Sequence, residues 1–138
     1  MRHEVYAKRM LLHGEEHVET IRAALNYANS LVGLRHAEAR SVLRKMVPVA
    51  RRVLGEGHRV TLKMRWNYAE ALYKDVDATL DELREAVTTL DDAARIAQRV
   101  FGVANPMAKG IESDLRNSRK VLRAREDGKK VTFKIVKH

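Results

Sequence analysis

Gly14-Glu15-Glu16-His17-Val18-Glu19-Thr20 and Gly55-Glu56-Gly57-His58-Arg59-Val60-Thr61 are the two stretches on which the fold turns. A shift of 41 residues lays Gly14 on Gly55, Glu15 on Glu56, His17 on His58 and Thr20 on Thr61. The same shift carries Asn26-Tyr27-Ala28 onto Asn67-Tyr68-Ala69 and Leu31 onto Leu72. Self-similarity at one such period marks a repeat architecture, in which each unit hides its apolar side by stacking on the next. A more degenerate third copy starts at Phe101-Gly102, 47 residues after Leu54-Gly55, with Asn105-Pro106 in place of His58-Arg59. The six extra residues are expected between Tyr73 and Thr79, as a loop insertion.

Within each unit the apolar spacing is helical. Ile21, Ala24, Leu25, Ala28, Leu31 and Val32 share one helical face, as do Leu62, Trp66, Ala69, Leu72 and Tyr73. The partner helices carry Ala39, Leu43, Met46, Val47 and Ala50, then Leu83, Ala86, Leu90, Ala94 and Ala97. Alanine at the matched positions Ala28/Ala69 and Ala39/Ala86 lets neighbouring helices approach closely. Thr79-Leu80-Asp81-Glu82 reads as a capping box that starts a helix. Asn105-Pro106 supplies a cap followed by a proline at the first helical position, and Pro48 is expected to kink the helix that contains it. The chain is therefore expected to be all-α, with six helices near 2–12, 17–32, 35–54, 58–74, 79–101 and 106–126. Together these form a helical repeat domain over 1–126. Residues 127–138 are a basic tail in which Lys129 to Lys137 alternates like a strand, and a lone strand needs a partner edge.

At 138 residues the chain suits one domain, and 45% apolar with 33% charged residues is the balance of a globular or repeat protein. With no cysteine, disulfides, iron–sulfur clusters, thiolate zinc sites and cysteine nucleophiles are excluded. No apolar run is long enough for a transmembrane helix, and Met1-Arg2-His3-Glu4-Val5 lacks the apolar stretch of a secretory signal. An intracellular, cytoplasmic location is expected, and an organelle stays open. The net charge of +9 is uneven: residues 1–52 hold 10 basic and 5 acidic side chains, 53–99 hold 7 and 9, and 100–138 hold 10 and 4. Basic ends favour an acidic protein, an anionic membrane surface or nucleic acid, or are simply a solvated surface.

Val53-Leu54-Gly55-Glu56-Gly57-His58, followed by Thr61-Leu62 and Asn67-Tyr68-Ala69-Glu70-Ala71-Leu72-Tyr73, resembles a tetratricopeptide repeat of the 42-residue kind found in kinesin light chains. In that family a Leu-Gly-x-x-His-Pro turn precedes an Asn-Leu-Ala-x-x-Tyr inner helix. The resemblance covers residues 12–126, is strongest in the first two units, and departs where Val18 and Arg59 stand in place of the turn proline. It implies a solenoid of about two and a half helix hairpins whose inner helices, at 17–32, 58–74 and 106–126, line a concave surface for a protein or peptide partner. It also implies that Asn26 and Asn67 point into that groove. Arg22, Asn26 and Asn29 form a polar stripe, and Lys63, Asn67 and Glu70 form its counterpart in the next unit. Such a stripe is equally what a solvated helix face shows. Gly110 and Asp114 stand where a basic carboxylate clamp needs lysine and arginine, so a clamp of that kind is not expected.

No catalytic constellation is legible, and neither a cofactor nor a metal is expected. His13-Gly14-Glu15-Glu16-His17 fits the H-x-x-E-H spacing of some zinc peptidases, but that chemistry needs a continuous helix, and the repeat puts Gly14 in a turn. His17 and His58 are expected to cap or pack the turn instead. Gly55-Glu56-Gly57 is not a phosphate loop, and Asp75-Val76-Asp77 and Asp91-Asp92 read as exposed acidic pairs. Arg116, Arg119, Lys120, Arg123 and then Lys129, Lys130, Lys134 and Lys137 form a basic track. Single-strand binders add stacking aromatics to such a track, and only Phe133 is near, which disfavours nucleic acid. The expected role is a non-enzymatic interaction scaffold that self-associates or sits in a stable complex. The alternative is a structural subunit docked by its basic ends and tail.

Overall fold

The computed structural model of the chain describes residues 18–31 and 35–128. Among these residues there are five helices: α1 (Val18–Leu31), α2 (His36–Val53), α3 (Arg59–Tyr73), α4 (Leu80–Phe101) and α5 (Pro106–Glu126). The chain is all-α over this span, and every expected boundary there lies within one residue of the observed one. The helix expected near 2–12, the strand-like tail from Lys129 and the His13–His17 spacing all lie outside the described residues.

Local chemistry sets the helix ends. The Thr79 hydroxyl accepts from Glu82 N at 3.1 Å while the Glu82 carboxylate accepts from Thr79 N at 2.9 Å, closing the capping box. Asn105 Oδ1 accepts from the amides of Met107 and Ala108, with Pro106 at the first helical position. His58 caps α3 through Nδ1, which accepts from Val60 N at 3.0 Å. Both α2 and α4 run into a glycine at positive φ, 97° at Gly55 and 91° at Gly102, the conformation that ends a helix and that side chains disfavour. α2 continues through Pro48 to Val53.

Each helix packs on the next, and in addition α1 touches α3 and α3 touches α5, whereas α2 and α4 meet through side chains, Arg40 Nε lying 3.7 Å from the Glu82 carboxylate. The repeat is repeated chemistry as well as repeated letters. Thr20 and Thr61, Ala28 and Ala69, Ala39 and Ala86, Leu43 and Leu90, and Ala50 and Ala97 are matched pairs, all fully buried. The Tyr27 hydroxyl donates to Glu38, and its counterpart Tyr68 donates to Glu85 at 2.6 Å, so one α1–α2 bond recurs between α3 and α4.

The expectation of a loop insertion is corrected in part. α4 begins at Leu80, whereas His36 shifted by 47 residues falls at 83, so three residues of the insertion are wound into helix. The capping box explains this, because it nucleates the helix before the matched position is reached. The acidic pairs are not simply exposed either. Asp92 approaches Arg65 at 2.8 Å, Asp91 pairs with Arg95 and Arg119, and Asp75 pairs with Arg40.

Candidate binding face

α3 touches all four other helices, and its burial reaches nearly all round. Polar residues on such a helix need internal partners, and they have them. Thr61 donates to Ala50 O at 3.2 Å. Arg65, 6% exposed, sets Nη1 between Asp92 and Glu56, at 2.8 and 3.5 Å, as a charge contact and not an aligned hydrogen bond.

The expected groove residues divide. Arg22, Asn26 and Asn29 are exposed along α1. Asn67, only 2% exposed, turns toward α1 and donates to Asn29 Oδ1 at 3.2 Å. Glu70 joins a polar cluster between α3 and α5. There Asp114 accepts from Trp66 Nε1 at 2.6 Å and from the Tyr73 hydroxyl, while Lys74 donates to Glu70 at 2.9 Å. Burial, and then the Asp114 carboxylate, push Glu70 above the ordinary carboxylate range against the opposing pull of Lys74. Burial raises Tyr73 strongly too, reinforced by Asp114. This cluster joins α3 and α5.

Arg22 and Lys63 do come together. They border a cleft of about 480 Å³ with Arg59, over a lining of Leu25, Val60, Trp66, Pro106 and Met107. Lys63 Nζ stands 4.6 Å from the centre of the Trp66 indole. The indole lies so close to α5 that a Cβ on Gly110 would sit 2.4 Å from its Cη2, which only glycine avoids. Arg59, Val60, Pro106 and Met107 were not singled out as binding residues from sequence. The signal was the cap itself: Arg59 and Val60, and Pro106 and Met107, directly follow the N-caps of α3 and α5 and line one cleft. A second, smaller cleft of about 210 Å³ lies on the other side, among Arg44, Arg51, Arg65, Tyr68, Glu85 and Thr89.

Of the basic track, Arg116, Arg119, Lys120 and Arg123 are exposed on α5. Arg116 pairs with Glu112 and Arg119 with Asp91. Arg125, on the same helix, donates to the carbonyls of Val76 and Ala78, tying α5 to the α3–α4 turn. Lys129, Lys130, Lys134 and Lys137 lie outside the described residues. No described helix is long and apolar enough to cross a membrane, and no cluster of potential metal ligands occurs among the described residues. No protein-family model, curated protein or solved structure matches the chain.

Proposed function

We propose that this chain is a tetratricopeptide-like solenoid of about two and a half helix hairpins, acting without catalysis as an intracellular protein–protein interaction scaffold. The partner, a protein or peptide segment, lies along α1, α3 and α5. The observation that supports this reading is the order of packing: α1 touches α3 and α3 touches α5 along the backbone, whereas α2 and α4 meet through side chains such as Arg40 and Glu82, as expected if α1, α3 and α5 form the concave side. A cleft of about 480 Å³ opens among residues of these three helices. Caps, buried pairs and hydrogen bonds already fix the helices, so a partner binds without the cost of ordering its receptor.

A photo-crosslinking residue placed at Asn26, exposed on α1, is expected to capture the partner in cells, whereas one at Thr88, exposed on α4, is not. Capture only from Thr88, or from neither position, overturns the reading. A second reading keeps one specific support: Lys120 and Arg123 are exposed on α5 and make no ion pair among the described residues. On that reading the chain is a stable subunit of a larger assembly, held by charge, and it leaves the assembly as salt rises.

A further inference from the structure

The two clefts treat charge oppositely. In the smaller one every arginine is answered: Arg51 Nε donates to Glu56 at 2.7 Å, Arg65 approaches Asp92 at 2.8 Å, and Arg44 donates to Tyr68, which donates to Glu85. In the larger one Arg22, Arg59 and Lys63 make no ion pair among the described residues, and no carboxylate is among the lining side chains. Arg59, moreover, is the first residue of α3, where the helix dipole disfavours a cation. A local choice that costs the fold and finds no compensation among the described residues is where a site kept for a ligand is expected.

We propose that this cleft receives a phosphorylated serine or threonine of the partner segment, with a neighbouring apolar side chain resting on Leu25 and Met107. The proposal rests on the scaffold reading and names the chemistry of its partner. A phosphoryl group brings a charge of about −1.5 to −2 and three acceptor oxygens, against the single charge of a carboxylate. Three cations with no counter-charge among the described residues are better matched by the former, and two guanidinium forks suit its oxygens. His58 takes the Val60 amide at the start of α3, and Asn105 takes those of Met107 and Ala108 at the start of α5, so the cationic side chains are the main donors to the anion. Lys63 already covers the Trp66 ring, and Gly110 packs against its edge, so a nucleobase has no free platform on which to stack.

Trp66 is the only tryptophan in the chain, so its emission reports occupancy directly. The full chain is panned against a peptide library with fixed central phosphoserine and degenerate flanks, and the selected peptide is titrated by Trp66 fluorescence and by calorimetry. Saturable binding is expected, weakened at least about tenfold when the phosphoserine is replaced by serine or by glutamate. The double substitution Arg22→Ala with Arg59→Ala should weaken it by about a hundredfold, with the helical signal unchanged. Arg99→Ala, which removes one exposed charge on α4, should leave it as it was. Equal affinity for the glutamate peptide, loss with Arg99→Ala equal to that with the pair, response only to phosphatidylserine vesicles, or no enriched phosphopeptide would each overturn the proposal. If capture from Asn26 persists in any of these cases, only the phosphoryl assignment falls; if that capture is lost as well, the scaffold reading falls with it.

Discussion

Gly110→Ala tests the α3–α5 junction with a single methyl group. Its carbon would lie 2.4 Å from Trp66 Cη2 and 2.7 Å from Cζ2, against about 3.5–4.0 Å for an ordinary carbon contact, so the indole must retreat by about 1 Å. The ring is not free to do so. Nε1 donates to Asp114 at 2.6 Å, and Lys63 lies over its face. Overpacking costs about 1–3 kcal/mol, and losing a hydrogen bond to a carboxylate costs about 1.5–3 kcal/mol. Against this, alanine for glycine inside a helix gains up to about 1 kcal/mol. The net expectation is a loss of about 2 kcal/mol, read as a lowered urea midpoint with unchanged slope and as a red shift of Trp66 emission in the native state. A variant as stable as the parent, or more stable, would refute the packing described for Trp66.

Glu70→Gln tests the buried carboxylate. Because the Glu70 pKa is raised in the folded state, its contribution is complete below the ordinary value of 4.5 and fades as pH rises through the folded value. The variant is expected to flatten that part of the stability profile in urea titrations, and an unchanged slope contradicts the cluster. Tyr27→Phe and Tyr68→Phe should each cost about 1–2 kcal/mol, since each removes the same hydrogen bond to a carboxylate; a neutral result at either position breaks the equivalence of the two units. Giving α5 the residues of α3, as Lys109→Leu, Arg116→Ala, Arg119→Leu and Lys120→Tyr together, should produce concentration-dependent association by analytical ultracentrifugation. Sedimentation identical to that of the parent would show that those cations do not guard an end face.

What the sequence disclosed was whatever is written locally. Caps are short-range chemistry, so Thr79 with Glu82, Asn105 with Pro106, and His58 placed the helix starts before any contact was known. Periodicity disclosed the core for the same reason. Burial of polar residues stayed hidden, because it depends on how many helices surround a position. Asn26 and Asn67 are the same letter at the same place in the repeat, yet α1 leaves Asn26 exposed while α3, touched from every side, buries Asn67 to 2%. Arg65 stands where the first unit has Ala24. Its burial is tolerable only because Asp92 and Glu56, from α4 and the preceding turn, supply charge that periodicity cannot foresee. The cleft stayed hidden likewise, since Arg22, Arg59 and Met107 meet only once three helices are stacked.

The same comparison of units separates two populations of cation. Shifting α3 by 47 residues puts Leu62, Ala69, Leu72 and Tyr73, all fully buried, on Lys109, Arg116, Arg119 and Lys120, all exposed. The other face keeps its character: Thr61, Met64, Asn67 and Ala71 map to Ala108, Ile111, Asp114 and Ser118, buried in both helices. Since Trp66 and Tyr73 of α3 reach Asp114 of α5, the exchanged face is partly the one on which a further inner helix would stack. Charge there solvates the exposed side of α5, and no ligand need be invoked for it. Arg22, Arg59 and Lys63 have no such account. Their positions are flanked by apolar lining, so solubility does not call for them, and the anionic partner proposed above would account for them.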